Sequence, residues 1–311
     1  MTAPVRLRLS RARGFDLQAH SREVNGLAAV NVARPTTWGN PLVVGKHYDL
    51  RKTRMGLRKC SDCRKQFTVK VGTVFESAHI PLNKMLQAVY LMCASKKGIS
   101  AHQLHRVLGV TYKSAWFLCH RIREAMRDGS LAPMGGAGSV VEIDETYLGR
   151  LEGQPVDPRK HPTQYRNTIM TLVERGGSAR SFHVESASIA NLQPIIRENL
   201  AREATMHTDE WVSYRAIGKE FAAHETVNHK AKEYARGTVT TNTVEGYFSI
   251  FKRGMKGTYQ HCGEKHLHRY LAEFDFRYNN RSALGVEDCE RHANALAGIV
   301  GKRLTYSQSQ L

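Results

Sequence analysis

The feature that most narrows how this chain can fold is a change of hydrophobic rhythm near residue 139. Ahead of it, apolar residues recur at helical spacing in three segments, Lys84–Ser95, Ser100–Leu108 and Lys113–Met126, divided by Gly98–Ile99 and by Gly109–Tyr112. Beyond it, Ser139–Tyr147, Thr168–Glu174 and Ser181–Ser186 have the composition of strands. A helix over Ile189–Ala201, a short strand around Ala204–Thr208 and amphipathic helices over 241–256 and 264–278 follow. Leu131–Gly138, rich in Gly, Ala and Pro, reads as the linker between the two regimes. The expectation is a helical module followed by an α/β body, with no internal repeat.

Charge limits the partners. The chain carries 46 Lys and Arg against 28 Asp and Glu, a formal +18 over 311 residues. That excludes an acidic, calcium-loaded protein and favours a polyanion, most simply nucleic acid, because Lys and Arg gain affinity by releasing phosphate-bound counterions. No run approaches the ~20 apolar residues that a membrane span needs, and no secretory leader pattern opens the sequence. Six cysteines (60, 63, 93, 119, 262 and 289) are too sparse for a disulfide scaffold, so the expectation is a reduced, cytoplasmic protein without a membrane partner. Cys93, Cys119, Cys262 and Cys289 read as small buried hydrophobes.

In the helical module, a short helix over Ala101–Leu108 and a longer basic one over Lys113–Met126 match a helix-turn-helix. Lys113, Ser114, His120, Arg121 and Arg123 would then be available to double-stranded DNA. The competing reading is a three-helix core whose charges are merely solvated; the net charge favours the DNA reading. Just upstream, Cys60-Ser-Asp-Cys63 has the spacing of half a zinc site. A structural site needs four ligands, and no cysteine precedes residue 60, so Cys60 and Cys63 form at most a partial zinc site.

Three acids carry the chemical signal. Asp144 lies in the hydrophobic strand Val140–Tyr147, Asp209 ends the run Met206-His207-Thr208-Asp209, and Glu245 falls near the start of the 241–256 helix. Lys252 is seven residues beyond Glu245, about two turns along the same face. Phosphodiester transfer needs a deprotonated attacking oxygen and a stabilised leaving oxygen, and two magnesium ions ~3.5–4 Å apart serve both. Magnesium favours oxygen ligands, and it relieves the mutual repulsion of clustered carboxylates. Taken singly, each acid is more often a cap, turn or solvated residue; three of them on two strands and a following helix, in a basic chain, are less easily accidental. By strict alternation Glu142 shares the face of Asp144 and Glu145 points the other way; these two and Glu210 are held in reserve as supporting or surface groups. Arg253 and Lys256 extend the positive face beside Lys252.

The stretches VEIDETYLG, HTDEW, TNTVEGYFSIFKRGMKGTY and HLHRYLAEFDFRYNNR resemble the core of bacterial insertion-sequence transposases of the DDE superfamily. The resemblance runs from about Lys52 to Arg281 and is to the subgroup carrying an N-terminal zinc ribbon and helix-turn-helix. It implies a ribonuclease-H-like α/β fold with a mixed sheet. It also implies that Asp144, Asp209 and Glu245 bind two magnesium ions, with manganese as an alternative, and that Lys252 contacts DNA near the reaction centre. The implied reaction nicks element ends and joins the freed 3′ hydroxyls to target DNA, a task that calls for at least a dimer.

The implied organisation is an atypical segment over 1–48, a partial ribbon over 49–80, a helix-turn-helix domain over 81–130, the catalytic domain over 139–285 and a tail over 286–311. Residues 5–45 depart from the subgroup, lacking its first cysteine pair and resembling instead the start of a small phage-associated domain of unknown function. A fusion reading frame would explain this. The rival functions are a non-catalytic helix-turn-helix DNA-binding protein, a defective fusion transposase, and a nuclease acting on RNA–DNA hybrids.

Overall fold

The computed structural model describes residues 47–49, 57–60, 64–129, 132–153, 159, 161–228, 231 and 235–307. The expectations for residues 1–46 and for Cys63 therefore lie outside the described residues. The chain divides into two compact units, one made of residues 1–72 with 81–83 and the other of 73–80 with 84–311.

In the first unit, β1 (His47–Asp49), β2 (Leu57–Cys60) and β3 (Gln66–Thr68) form an antiparallel sheet, with His47 opposite Cys60 and Leu57 opposite Thr68. Cys60 is buried at the end of β2. Its N–H donates to the Lys65 carbonyl at 3.0 Å.

The second unit opens with three helices, α1 (Leu82–Ala94), α2 (Ala101–Leu108) and α3 (Tyr112–Met126). Local chemistry sets their ends. Ser100 caps α2 by accepting the Gln103 N–H at 3.1 Å, and Thr111 caps α3 by accepting that of Ser114 at 3.2 Å. Gly109, at φ 59°, terminates α2 in the left-handed conformation that glycine adopts without strain.

A five-stranded sheet follows, in the order β6-β5-β4-β7-β8, from β4 (Val140–Leu148), β5 (Asn167–Glu174), β6 (Ala179–Val184), β7 (Thr205–Asp209) and β8 (Ala223–Val227). β4, β5 and β6 are antiparallel neighbours, whereas β7 runs parallel to β4 and β8 parallel to β7. Alternation along the strands feeds two cores. Val141, Ile143, Met170, Leu172 and Met206 meet α4 (Ile189–Asn199) and α5 (Val212–Gly218) through Leu192, Ile196, Tyr214 and Ile217. On the other face, Ile169, Val173 and Ala179 meet α6 (Asn242–Gly254) and α7 (Leu267–Asn279).

The core positions of α6 are Val244, Tyr247, Phe248 and Phe251, a 3–4 spacing that buries one stripe. A short hairpin, β9 (Ala235–Arg236) with β10 (Val239–Thr240), leads into α6, and a π-turn over Met255–Tyr259 ends it. The open edge of β6 is covered by side chains: Asn279 bonds both the N–H and the carbonyl of Ala179, at 2.6 and 3.0 Å, and Asp275 accepts the Ser181 N–H at 2.8 Å.

Two expectations are corrected here. Residues 286–311, expected as a tail, contain α8 (Asp288–Ala297), which buries His292, Ala295 and Leu296 and packs on α3. α3, the expected recognition helix, is largely interior. Nine of its residues are buried, including His120, Arg121 and Arg123, because α7 and α8 cover it. The helical trio and the sheet thus belong to one compact unit.

Candidate active site

Register brings the first two acids together. β4 and β7 pair in parallel with Val140 opposite Thr205 and Glu142 opposite His207; the same register, continued two residues, sets Asp144 beside Asp209. Neighbouring strands lie ~4.8 Å apart, so the two carboxylates emerge side by side on the sheet face that α6 covers. The buried stripe of α6 turns Glu245, Ser249 and Lys252 to one side, at i, i+4 and i+7. All five residues line one cleft of about 400 Å³, together with Glu145, Thr146 and Phe248.

Fixed backbone donors hold the strand acids. Asp144 Oδ1 accepts the Glu145 N–H at 2.8 Å, and Asp209 Oδ1 accepts the Trp211 N–H at 3.0 Å. Glu245 Oε1 accepts the Thr241 hydroxyl at 3.2 Å. The electrostatics are those of crowded anions. Burial, and then the charges of Asp209 and Glu245, push the Asp144 carboxyl up to about 7 against the Glu145 N–H and Lys252, which lower it. Burial, with Asp144 and Asp209, pushes Glu145 up to about 8 although the Tyr214 hydroxyl donates to it. Burial lowers the Lys252 ammonium from its ordinary value, and Asp144 opposes that shift.

A cation sharing Asp144 and Asp209 would relieve this repulsion, and an all-carboxylate donor set suits a hard divalent ion. Among the described residues, no group of three or more His, Cys, Asp or Glu side chains is gathered closely enough to hold a metal ion.

The other expected site residues scatter. Arg253 and Lys256 are exposed on and just beyond α6, outside the cleft lining. Lys113 is exposed at the first turn of α3, its ammonium 4.6 Å from the Tyr306 ring centre. Arg121 and Arg123 are corrections. Arg121 is buried over the Phe117 ring, and Arg123, 2% exposed, pairs with Glu273 at 2.7 Å in the interior. The Arg123 guanidinium is thus committed to an interior ion pair rather than presented to a phosphate. Cys289 is exposed rather than buried.

Glu142, expected as a supporting or surface group, is wholly buried, and its 2.6 Å partner Arg175 carries no recognisable sequence signal. The only sequence signal for Glu142 was its shared face with Asp144.

A five-stranded mixed sheet with acids on two adjacent strands, Asp144 midway along β4 and Asp209 at the end of β7, and a third acid on the helix packed across them, is consistent with a ribonuclease-H-like fold. Residues 135–279 match the ISXO2-like transposase domain, which supports a transposase role for the chain. It is also similar to an uncharacterized transposase-like protein of Haemophilus influenzae, 27% identical over 97 residues, which span 31% of this chain and 77% of that protein. Among the described residues, no helix is long and apolar enough to cross a membrane.

Proposed function

We propose that this transposase cleaves and joins DNA strands at the ends of its own mobile element, with Asp144, Asp209 and Glu245 as ligands for two divalent ions, magnesium or alternatively manganese. The observation that carries this reading is the single cleft lined by all three acids and Lys252. When bound, the ions would supply activation of the attacking oxygen and stabilisation of the leaving oxygen. The chain's own groups do the rest. The strand acids are held by backbone N–H groups, so little reorganisation is needed as charge develops. Lys252 reaches the cleft as a cation suited to a substrate phosphate. Arg253 and Lys256 extend positive charge outward along the same helix, where duplex DNA can lie.

Water attacks first and the freed 3′ hydroxyl second, with no covalent protein–DNA intermediate. Bringing two element ends together calls for at least two copies of the chain. The test is strand nicking of end-containing duplex in magnesium. Asp144→Asn should abolish nicking and leave duplex binding intact, whereas equal loss of both would contradict the catalytic assignment.

A further inference from the structure

We infer that Glu142 is a positioning residue: a buried carboxylate on β4 that caps α6 from outside the helix and so holds Glu245 opposite Asp144. The inference rests on the three-acid reading of the cleft. Glu142 has no solvent exposure, and an ionised carboxylate is costly in such a place unless its oxygens are bonded. They are. Oε2 accepts the N–H groups of Thr243 and Val244 at 2.7 and 3.0 Å. Oε1 accepts the Thr243 hydroxyl at 2.9 Å and Arg175 Nε at 2.6 Å.

Those two amides belong to the first turn of α6, where helix N–H groups lack intrahelical partners. The residue that would ordinarily cap them, Thr241, makes no side-chain cap bond, its hydroxyl donating instead to Glu245. The cap therefore comes from a distant strand, and its negative charge suits the positive end of the helix.

Arg175 extends the clamp. Its two terminal nitrogens donate to the carbonyls of Thr238 and Thr240, at 2.7 and 2.9 Å, in the hairpin that feeds α6. One of them also lies 3.3 Å from His207 Nδ1, on the strand that ends in Asp209. One ion pair, Glu142 wholly buried and Arg175 partly so, thus touches the supports of all three acids. Asp144 and Asp209 are fixed by strand pairing as well, but Glu245 sits in the turn that Glu142 caps. Loss of the cap should release Glu245 first.

The test uses the full chain with Glu142→Gln, which keeps the shape and removes one acceptor and the charge. Hydrogen exchange on metal-free protein should show protection falling about tenfold at the start of α6 with β5 unchanged, and Mn2+ affinity followed by paramagnetic resonance should fall about tenfold, the usual effect of losing a group that orients a ligand. Nicking should need about tenfold more magnesium yet reach nearly the wild-type rate at saturation. Thr243→Val, which deletes one of the four bonds, should move every readout the same way by about two- to threefold, and it decides the matter if Glu142→Gln does not fold.

Unchanged exchange at the start of α6, or protection lost evenly across the sheet, overturns the role given to Glu142. Wild-type protein that takes up no Mn2+ overturns it differently, by removing the three-acid reading itself.

Discussion

Replacing Arg123 by Met separates an interior strut from a DNA contact. The Arg123 side chain is 2% exposed and Glu273 is fully buried, with a 2.7 Å bond between them. The guanidinium also lies 3.9 Å from the Tyr270 ring centre and 5.1 Å from that of Tyr259. Removing one member of a buried pair costs about 3–5 kcal/mol, since the remaining charge stays desolvated. The lost ring contacts would add up to ~2 kcal/mol in isolation. Glu273 retains Arg277 and the Tyr259 hydroxyl on its other oxygen, which offsets part of the loss. A net cost of ~3–5 kcal/mol is therefore expected, a large share of the ~5–15 kcal/mol that stabilises a typical domain. For a unit of this size it corresponds to about 10 °C in melting temperature.

The assay is urea and thermal unfolding beside duplex binding over a salt series. A surface phosphate contact predicts the reverse: stability within ~0.5 kcal/mol of wild type and a salt slope lower by about 1. Arg123→Met protein that melts like wild type but binds DNA with that reduced slope would refute the interior assignment. Lys113→Ala, at an exposed position, is the matched comparison and should leave stability unchanged.

Two further outcomes test the packing. His120 is fully buried with no partner on either ring nitrogen, and burial, then the Arg123 charge, push its pKa far below the ordinary histidine value. The unfolded chain binds a proton there below about pH 6.5 and the folded chain does not, so stability falls as pH drops through that value. His120→Phe should be neutral or up to ~2 kcal/mol stabilising at pH 7, with a larger advantage at pH 5; melting curves at both values check it, and a smaller advantage at pH 5 would contradict the sign. Gly98 sits at φ +89°, and a Cβ there would lie 1.8 Å from the Tyr259 hydroxyl. Gly98→Ala should cost ~2 kcal/mol or more, read as a lower melting temperature; wild-type melting would show that the 95–99 turn yields freely.

Local pattern revealed what local pattern determines. The three helices, the strands β4 to β7 and helix α6 are visible in the sequence because each buries a stripe of apolar side chains at its own period. The face assignment of Glu142 and Glu145 follows from alternation: Glu142 reaches α6, whereas Glu145 meets Tyr214 of α5 on the opposite side. What escaped is non-local. β8 is five residues with a His and a Glu among them, and only parallel pairing with β7 makes it a strand. α8 gains its buried face from α3, far away in the chain.

Arg123 looks like a surface residue beside the apolar stripe of α3, and its partner Glu273 is 150 residues distant. No spacing rule joins the two. Alternation puts Glu142 on the face of Asp144 as a supporting or surface group, but which of the two it is depends on the helix that it caps, 101 residues away.

The proposed chemistry requires the three acids to share divalent ions. Mn2+ binding, followed by paramagnetic resonance at pH 8 where the Asp144 carboxyl, titrating at about 7, is mostly ionised, addresses this directly. Wild-type protein should bind Mn2+ more tightly at pH 8 than at pH 6, and Asp144→Asn, Asp209→Asn and Glu245→Gln should each lose binding and nicking together. Undiminished Mn2+ binding in all three variants, or nicking by wild-type protein without any divalent ion, would contradict it.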